Sequence, residues 1–393
     1  MLIKKILCLF FVLLLVCGCS GNCDITKKNP QSTNNERLCG VWISYSEIEN
    51  MCQKGFALEF DNAIDNCVKL GVTDLFVHIR AFCDSIYDSK IFPQTESSQK
   101  CEMDILDYMI NSCHEKNIKF HAWINPYRVR TADCNIDKLP KKSPVYRWLK
   151  DSDSENDKNV CICDGIYLNP ASLAARELII DGIREVLDNY PLDGIHFDDY
   201  FYPTSKSSFD EQSYSDYCSS CSSPLCLEEW RRTNVSALIS SCKSAVKYKG
   251  SNIIFSISPA ADIKKNYDEY FADIISFAES GYVDMLIPQL YFGFEYPIKK
   301  FRFENILSEW EKALSNSDCR LCIGLAAYKT GTSASPDTKE WKTADDIVAK
   351  QVGICLKDSK ISGYVFFSYS SLFSSKSLNK KAFEKILNRK NNL

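Results

Sequence analysis

The run Asp193–Pro203, DGIHFDDYFYP, places two adjacent carboxylates, Asp198 and Asp199, next to a histidine and two tyrosines at the end of an otherwise strand-like apolar segment. A carboxylate in that position can serve as nucleophile, as base, or as stabiliser of a positive centre. A purely structural role is the alternative, with one acid capping a loop or pairing with Arg80. Counting by two along the strand puts His196 and Asp198 on one face and Phe197 and Asp199 on the other. The same count pairs His78 with Arg80, and it groups His121 with Trp123 and Asn125. It also aligns Ile287 with Gln289 and Tyr291, and Gly324 with Ala326 and Tyr328. In each group the polar member comes near the carboxyl end of its segment.

Aromatic residues crowd the same ends: Tyr45, Trp123, Tyr127, Tyr200, Tyr202, Tyr291, Phe292, Tyr328 and Tyr369. Carboxylates among aromatic platforms suit a sugar, whose apolar ring faces stack while its hydroxyls hydrogen-bond. Cleaving a glycosidic bond also needs a proton donor. Asp262 and Glu295 follow the fifth and sixth strand-like runs and are the loop acids nearest the expected site. Asp84 and Asp199 are the weaker choices. We therefore group Asp198, Asp199 and Glu295 as catalytic candidates. Arg80, Trp123, Asn125, Tyr127, Tyr200, Asp262, Gln289, Tyr291 and Tyr328 are the sugar-binding candidates, with Arg80 also placed to keep Asp198 ionised. His78, His121 and His196 lie on consecutive strands at similar depth, which could converge on zinc. Histidines satisfied by one another or by backbone are the preferred reading, so no metal or cofactor is expected.

These side chains need a scaffold, and the chain spells one out. Strand-like runs at 38–45, 74–80, 119–127, 194–200, 253–260, 285–292, 321–328 and 363–370 alternate with helical spacing at 59–70, 103–116, 173–189, 227–247, 268–280, 303–315, 344–356 and 378–388. Eight strand-then-helix units predict an α/β fold, a single-domain (β/α)₈ TIM barrel over 37–390, with a doubly wound sheet as the competing architecture. The long excursions 128–171 and 204–224 both follow strands, so both belong to the carboxyl-end face, where barrels build their sites.

At 393 residues and 45% apolar content the chain can fill such a core, and its formal net charge of −4 gives no basic footprint for nucleic acid. Residues 1–18 pair Lys4 and Lys5 with a short apolar run and read as a lipoprotein signal peptide. Val16-Cys17-Gly18-Cys19 offers Cys19 for lipidation, and the polar segment 19–36 reads as a tether, which puts the barrel outside the cytoplasm on a membrane anchor. Many of the 20 cysteines fall in apolar patterns and act there as small hydrophobes. Cys161 with Cys163, Cys218 with Cys221 and Cys226, and Cys319 with Cys322 are candidates for bridges.

Taken together, Gly40-Val41-Trp42, WINPYR (123–128), YLNPASLAARELI (167–179), DGIHFDDYFYP, SISPAAD (256–262) and VDMLIPQLYF (283–292) resemble the bacterial glycosyl hydrolase-like 10 family. That resemblance implies an exported or lipid-anchored TIM barrel. It further implies cleavage of glycosidic bonds in cell-wall glycan strands, in particular peptidoglycan stripped of its stem peptides, with Asp198 and Asp199 at the functional positions. Tyr200 stands where chitinases carry their proton-donating glutamate, so a chitinase mechanism does not carry over. A carbohydrate-binding barrel without turnover is the alternative from another class, and a histidine-based metal-dependent deacetylase is a third.

Overall fold

The structure, a computed structural model, describes residues 37–332 and 338–391. The expected signal segment 1–18, Cys19 and the tether 19–36 lie outside the described residues. Eight parallel strands close into a barrel: β1 (Leu38–Ile43), β2 (Asp74–Arg80), β3 (Lys119–Ile124), β4 (Gly194–Phe197), β5 (Ile254–Ile257), β6 (Met285–Leu286), β7 (Arg320–Leu325) and β8 (Ile361–Phe367). They follow one another round the barrel in chain order, and β8 closes on β1. This is the predicted (β/α)₈ barrel, not a doubly wound sheet.

Several strands end earlier at the carboxyl side than their apolar runs suggest. In β6 the reason is Pro288, which has no N–H to give the ladder. Pairing resumes only as single bridges from Gln289 to Ala260 and to Gly324. Helices Leu173–Asn189, Leu227–Lys249 and Phe303–Ala313 fall where their spacing puts them. The helix expected over 268–280 is instead two short ones, Ile263–Asp268 and Ile274–Glu279, separated where Phe271 takes a left-handed φ of 51°.

Most apolar side chains pack between the strands and the helical ring, but a second cluster fills the barrel itself: Leu38, Trp42, Phe76, Trp123, Met285, Ile287, Cys322 and Val365. Buried histidines interleave with these rings. His121 stacks on Phe76 with centroids 4.4 Å apart and bonds Asp74 at 2.7 Å, while His196 bonds Ser256 at 2.8 Å and accepts from the Trp42 indole at 3.1 Å. Gly194 makes room for this layer, since a Cβ there would lie 2.2 Å from His121 Nδ1.

Both excursions are ordered lobes. Residues 128–171 carry an antiparallel three-stranded sheet of Arg128–Thr131, Gly165–Leu168 and Val160–Ile162, with Gly165–Leu168 in the middle. The 204–224 excursion contains helix Glu211–Ser220 and is tied down by Arg231 from helix Leu227–Lys249. The Arg231 side chain is fully buried; its guanidinium grips the carboxylate of Asp210 and donates to the carbonyls of Ser205 (3.1 Å) and Lys206 (2.8 Å). Tyr202 and Phe271 cover it at 5.2 and 4.9 Å.

The expected cysteine bridges are not present: all the described cysteines are free thiols. The geometry of extended chain explains one of the pairs: Cys322 turns into the barrel against Met285 Sδ at 3.5 Å, while Cys319, an odd number of residues away, is only partly buried. Cys161 is buried at the centre of strand Val160–Ile162, whereas Cys163 lies past the end of that strand and is exposed.

Removing one partner of a buried ion pair leaves an uncompensated charge. Arg231→Met should therefore lower unfolding free energy by about 3–5 kcal/mol, read as a drop in urea midpoint, and adding Asp210→Leu should recover much of the loss. A single variant as stable as wild type would show that the pair does not anchor this lobe.

Candidate active site

A cavity of about 360 Å³ opens at the carboxyl ends of the strands. Every strand end contributes to it directly or through the residues that follow. Trp42, Ser44 and Tyr45 come from β1, His78 from β2, Trp123 and Arg128 from β3, and His196, Asp198, Asp199 and Tyr200 from β4. Ser258, Gln289, Tyr291, Tyr328 and Phe367 complete the lining from the remaining four strands. A wider groove of about 740 Å³ lies elsewhere, between helices Phe56–Leu70 and Ile105–Glu115. Three of its carboxylates are engaged, Asp61 by the Tyr108 hydroxyl, Asp104 by helix capping and Asp107 by the Asn111 amide, and it contains no strand-end residue.

Asp198 is buried, with 3% of its surface exposed, and accepts from Trp123 Nε1 (3.1 Å), Asn125 Nδ2 (3.0 and 3.1 Å) and the Tyr200 amide (3.4 Å). Burial raises its pKa above the ordinary carboxylate value, against the opposing pull of the Arg128 guanidinium and of these donors. Asp199 accepts from Gln289 Nε2 at 3.2 Å. Burial, followed by the charge of Asp198, pushes Asp199 up to about 7. Near neutral pH the pair can thus hold one proton between them, with the donors gathered on Asp198 favouring it as the ionised member.

The pairing corrects the alternation count. β4 stops at Phe197, so the chain beyond it is free of the pleat, and Asp199 lines the same cavity as Asp198 instead of the opposite face. Arg80 is the second correction. The β2–β3 register shifts between His78 and Arg80, so a bulge flips the side on which Arg80 emerges. Its guanidinium lies 4.5 Å over Phe92 and fills the space left by Gly182, where a Cβ would sit 1.8 Å from it. It is not in the cavity. The cation near Asp198 is Arg128, held by the Ala81 carbonyl at 3.0 Å and lying over Phe82 and Tyr200 at 4.6 and 5.3 Å. Its signal in the sequence is WINPYR: Pro126 breaks the ladder, and Asn125 Oδ1 accepts from the Arg128 amide at 3.1 Å, turning the chain back over the mouth.

Of the other sugar-binding candidates, Trp123, Tyr200, Gln289, Tyr291 and Tyr328 line the cavity, and Asn125 reaches it through Asp198. Tyr127 and Asp262 do not, and neither does Glu295, the third catalytic candidate. Tyr127 is buried in the main core; Asp262 caps helix Ile263–Asp268 and pairs with Lys300 at 3.1 Å; Glu295 is exposed in its loop, outside the cavity lining. Among the rim aromatics, Tyr202 covers Arg231, Phe292 stacks on Phe301 at 5.1 Å and Tyr369 accepts from Asn66 at 3.1 Å. Trp42, Ser44, Ser258 and Phe367 were not identified as cavity residues from sequence. The barrel mouth is closed between β1 and β8 by the Glu47 carboxylate, which accepts from Ser44 Oγ (2.8 Å), Ser368 Oγ (2.8 Å) and the Ser370 amide (2.6 Å). The three buried histidines share one aromatic layer, Phe76 lying against His121 and His196 and Trp123 against His78 and His196, and among the described residues no three His, Cys, Asp or Glu side chains are grouped as metal ligands.

A buried carboxylate beside a partly buried one, with a collar of aromatic rings at the carboxyl ends of a closed parallel barrel, defines a carbohydrate-active barrel enzyme. The chain belongs to the glycosyl hydrolase-like 10 family, whose profile matches residues 37–343, and is a glycoside hydrolase by class. It is 28% identical over 374 residues to glycosyl hydrolase YngK of Bacillus subtilis (strain 168), covering 88% of this chain and 70% of that protein. Glycosyl hydrolase DigH of Escherichia coli (strain K12) is 26% identical over 338 residues, 77% of this chain and 73% of that one. The fold is shared with the PgaB (BpsB) glycoside hydrolase domain from Bordetella bronchiseptica, at TM-score 0.61 and 12% identity over 88% of this chain and 98% of that one. It is shared too with the catalytic domain of β-amylase from Paenibacillus polymyxa, at TM-score 0.59 and 9% identity over 90% and 98%.

The raised pKa of Asp199 links activity to stability. Its folded value, about 7 against an ordinary 3.8, means the folded state holds a proton that the unfolded chain releases, so stability is lost as pH rises from about 4 through 7. Asp199→Asn should stabilise the protein at pH 8 by up to about 4 kcal/mol, and by little at pH 4. Denaturant melts at the two pH values check this; equal effects at both would mean that Asp199 titrates normally.

Proposed function

We propose that this protein hydrolyses glycosidic bonds in cell-wall glycan strands, with peptidoglycan freed of its stem peptides as substrate. We place it outside the cytoplasm, anchored to the membrane through lipidated Cys19. The observation that carries the hydrolase chemistry is the Asp198–Asp199 pair, one carboxylate surrounded by donors and its neighbour able to hold a proton near neutral pH. The family resemblance and the signal-like N-terminus support the substrate and the location.

In this reading Asp199 gives its proton to the glycosidic oxygen as the bond to the anomeric carbon breaks. Asp198 stabilises the positive charge that develops there, and Asn125 and Gln289 orient the two acids. Water adds to the anomeric carbon, and its released proton restores the pair. Tyr291 and Phe367, stacked with centroids 6.0 Å apart, form an apolar wall for a sugar ring, and the half-exposed Tyr200 and the more enclosed Tyr328 flank the opening. The binding-only alternative drew on the want of a proton donor near Asp198, and Asp199 supplies one.

The purified protein incubated with amidase-treated peptidoglycan should release glycan fragments detectable by mass spectrometry. Asp198→Asn and Asp199→Asn should each lower the rate by about 10²–10⁴-fold. Because Asp199 must be protonated to act, kcat/KM should fall roughly tenfold per pH unit above about 7. Binding without any fragment would make this a carbohydrate-binding barrel, and normal cleavage by Asp198→Asn would remove that residue from the mechanism.

A further inference from the structure

His78 stands apart from the other buried histidines. His121 is bonded to Asp74, and His196 to both Ser256 and Trp42. His78 is only 2% exposed, yet neither of its ring nitrogens has a hydrogen-bond partner among the described residues. Its orientation is nevertheless well fixed. One face stacks on Trp123, with centroids 3.9 Å apart and planes 8° from parallel, and Tyr45 meets the ring at 5.7 Å in an edge arrangement. The residue lines the same cavity as Asp198, whose carboxylate is bonded by that same Trp123. Burial, then the nearby Arg128 charge, drives its pKa well below the usual histidine value, so the ring is neutral. A neutral imidazole carries one N–H donor and one lone-pair acceptor, as a hydroxyl also does.

Folded proteins rarely keep a buried polar group without a partner, and those that persist tend to sit at functional sites. A packing role alone would be filled better by an apolar side chain. We infer that His78 is a sugar-contact residue, whose imidazole exchanges hydrogen bonds with a hydroxyl of the sugar ring seated against Asp198. The inference rests on the hydrolase reading and adds a specificity contact to it. Stacking on Trp123 fixes the angle of the ring, so the direction of its hydrogen bonds is set before the sugar arrives.

The test compares His78→Leu with His78→Gln in the full chain, using amidase-treated peptidoglycan strands as the probe. His78→Leu should lower kcat/KM about tenfold, mostly through KM, since a lost hydrogen bond present in the bound ground state weakens binding. Its melting temperature should be no lower than that of wild type, because leucine removes an unpartnered polar ring. His78→Gln, which keeps a donor and an acceptor, should stay within about threefold of wild type. In an Asp198→Asn background, titration calorimetry should show strand binding weakened about tenfold by His78→Leu. Wild-type kcat/KM in His78→Leu, or equal impairment in the two variants, would overturn the inference while leaving the hydrolase reading intact. Strands bound but never cut would overturn the hydrolase reading, and the calorimetry would still decide for or against His78. A wild-type protein that neither binds nor cuts them overturns both.

Discussion

An ionised carboxylate without partners cannot survive in a protein interior, and the mouth of this barrel is organised around that constraint. Asp198 is almost completely enclosed, so donors have to be delivered to it from several directions. Trp123 and Asn125 come from the end of the neighbouring strand, and the Tyr200 amide arrives because the chain turns immediately after β4. Each donor in turn needs support: Asn125 is oriented by its bond to the Arg128 amide, and Arg128 is fixed by the Ala81 carbonyl and two aromatic faces. The proton on Asp199 follows from the same crowding, since withdrawal from water and then the neighbouring charge of Asp198 both disfavour a second negative charge.

Much of the scaffold is readable from pattern because barrel strands and their helices obey strict periods. The run DLFVHIR becomes β2 over the residues its composition suggests, and LAARELIIDGIREVLDN becomes one helix. The acids at the end of β4 are equally legible, as are Trp123, Gln289, Tyr291 and Tyr328. Pattern counting misleads where the periodicity stops. Arg80 sits just past a bulge that no count by two can register, so its guanidinium passes beneath helix Leu173–Asn189 rather than into the cavity. Asp199 lies beyond the last paired residue of β4, so its direction is set by a turn. Glu295 and Asp262 show the related limit that closeness along the chain to a strand end says nothing about which way a loop folds. Arg128 illustrates the converse: a residue several places past its strand returns to the site because Asn125 bends the chain there.

The lobes beyond the strands are less predictable still, and their architecture depends on contacts distant in sequence. Arg231, in the first turns of a helix, is consumed entirely in holding Asp210 and two carbonyls of the excursion that precedes it. Nothing in the local pattern distinguishes it from Arg232, which extends outward over Tyr267. The cysteines make a similar point. Their spacing suggests cross-links, but the fold sends the neighbours apart: Cys322 turns into the barrel while Cys319 stays at its margin, and Cys163 lies past the strand that buries Cys161.

The consecutive placement of Asp198 and Asp199 on one strand end has a consequence for how such a barrel can diversify. In a site whose two acids come from different loops, any insertion that reshapes one loop also moves one acid relative to the other. Here a single peptide unit joins them, so the distance between them is largely insulated from changes in the 128–171 and 204–224 lobes. Those lobes are free to lengthen, shorten or rearrange, altering which glycans reach the mouth while the acid pair stays intact. The barrel thus separates what it does to a bond from which bond it is given, and that separation is encoded in two adjacent codons.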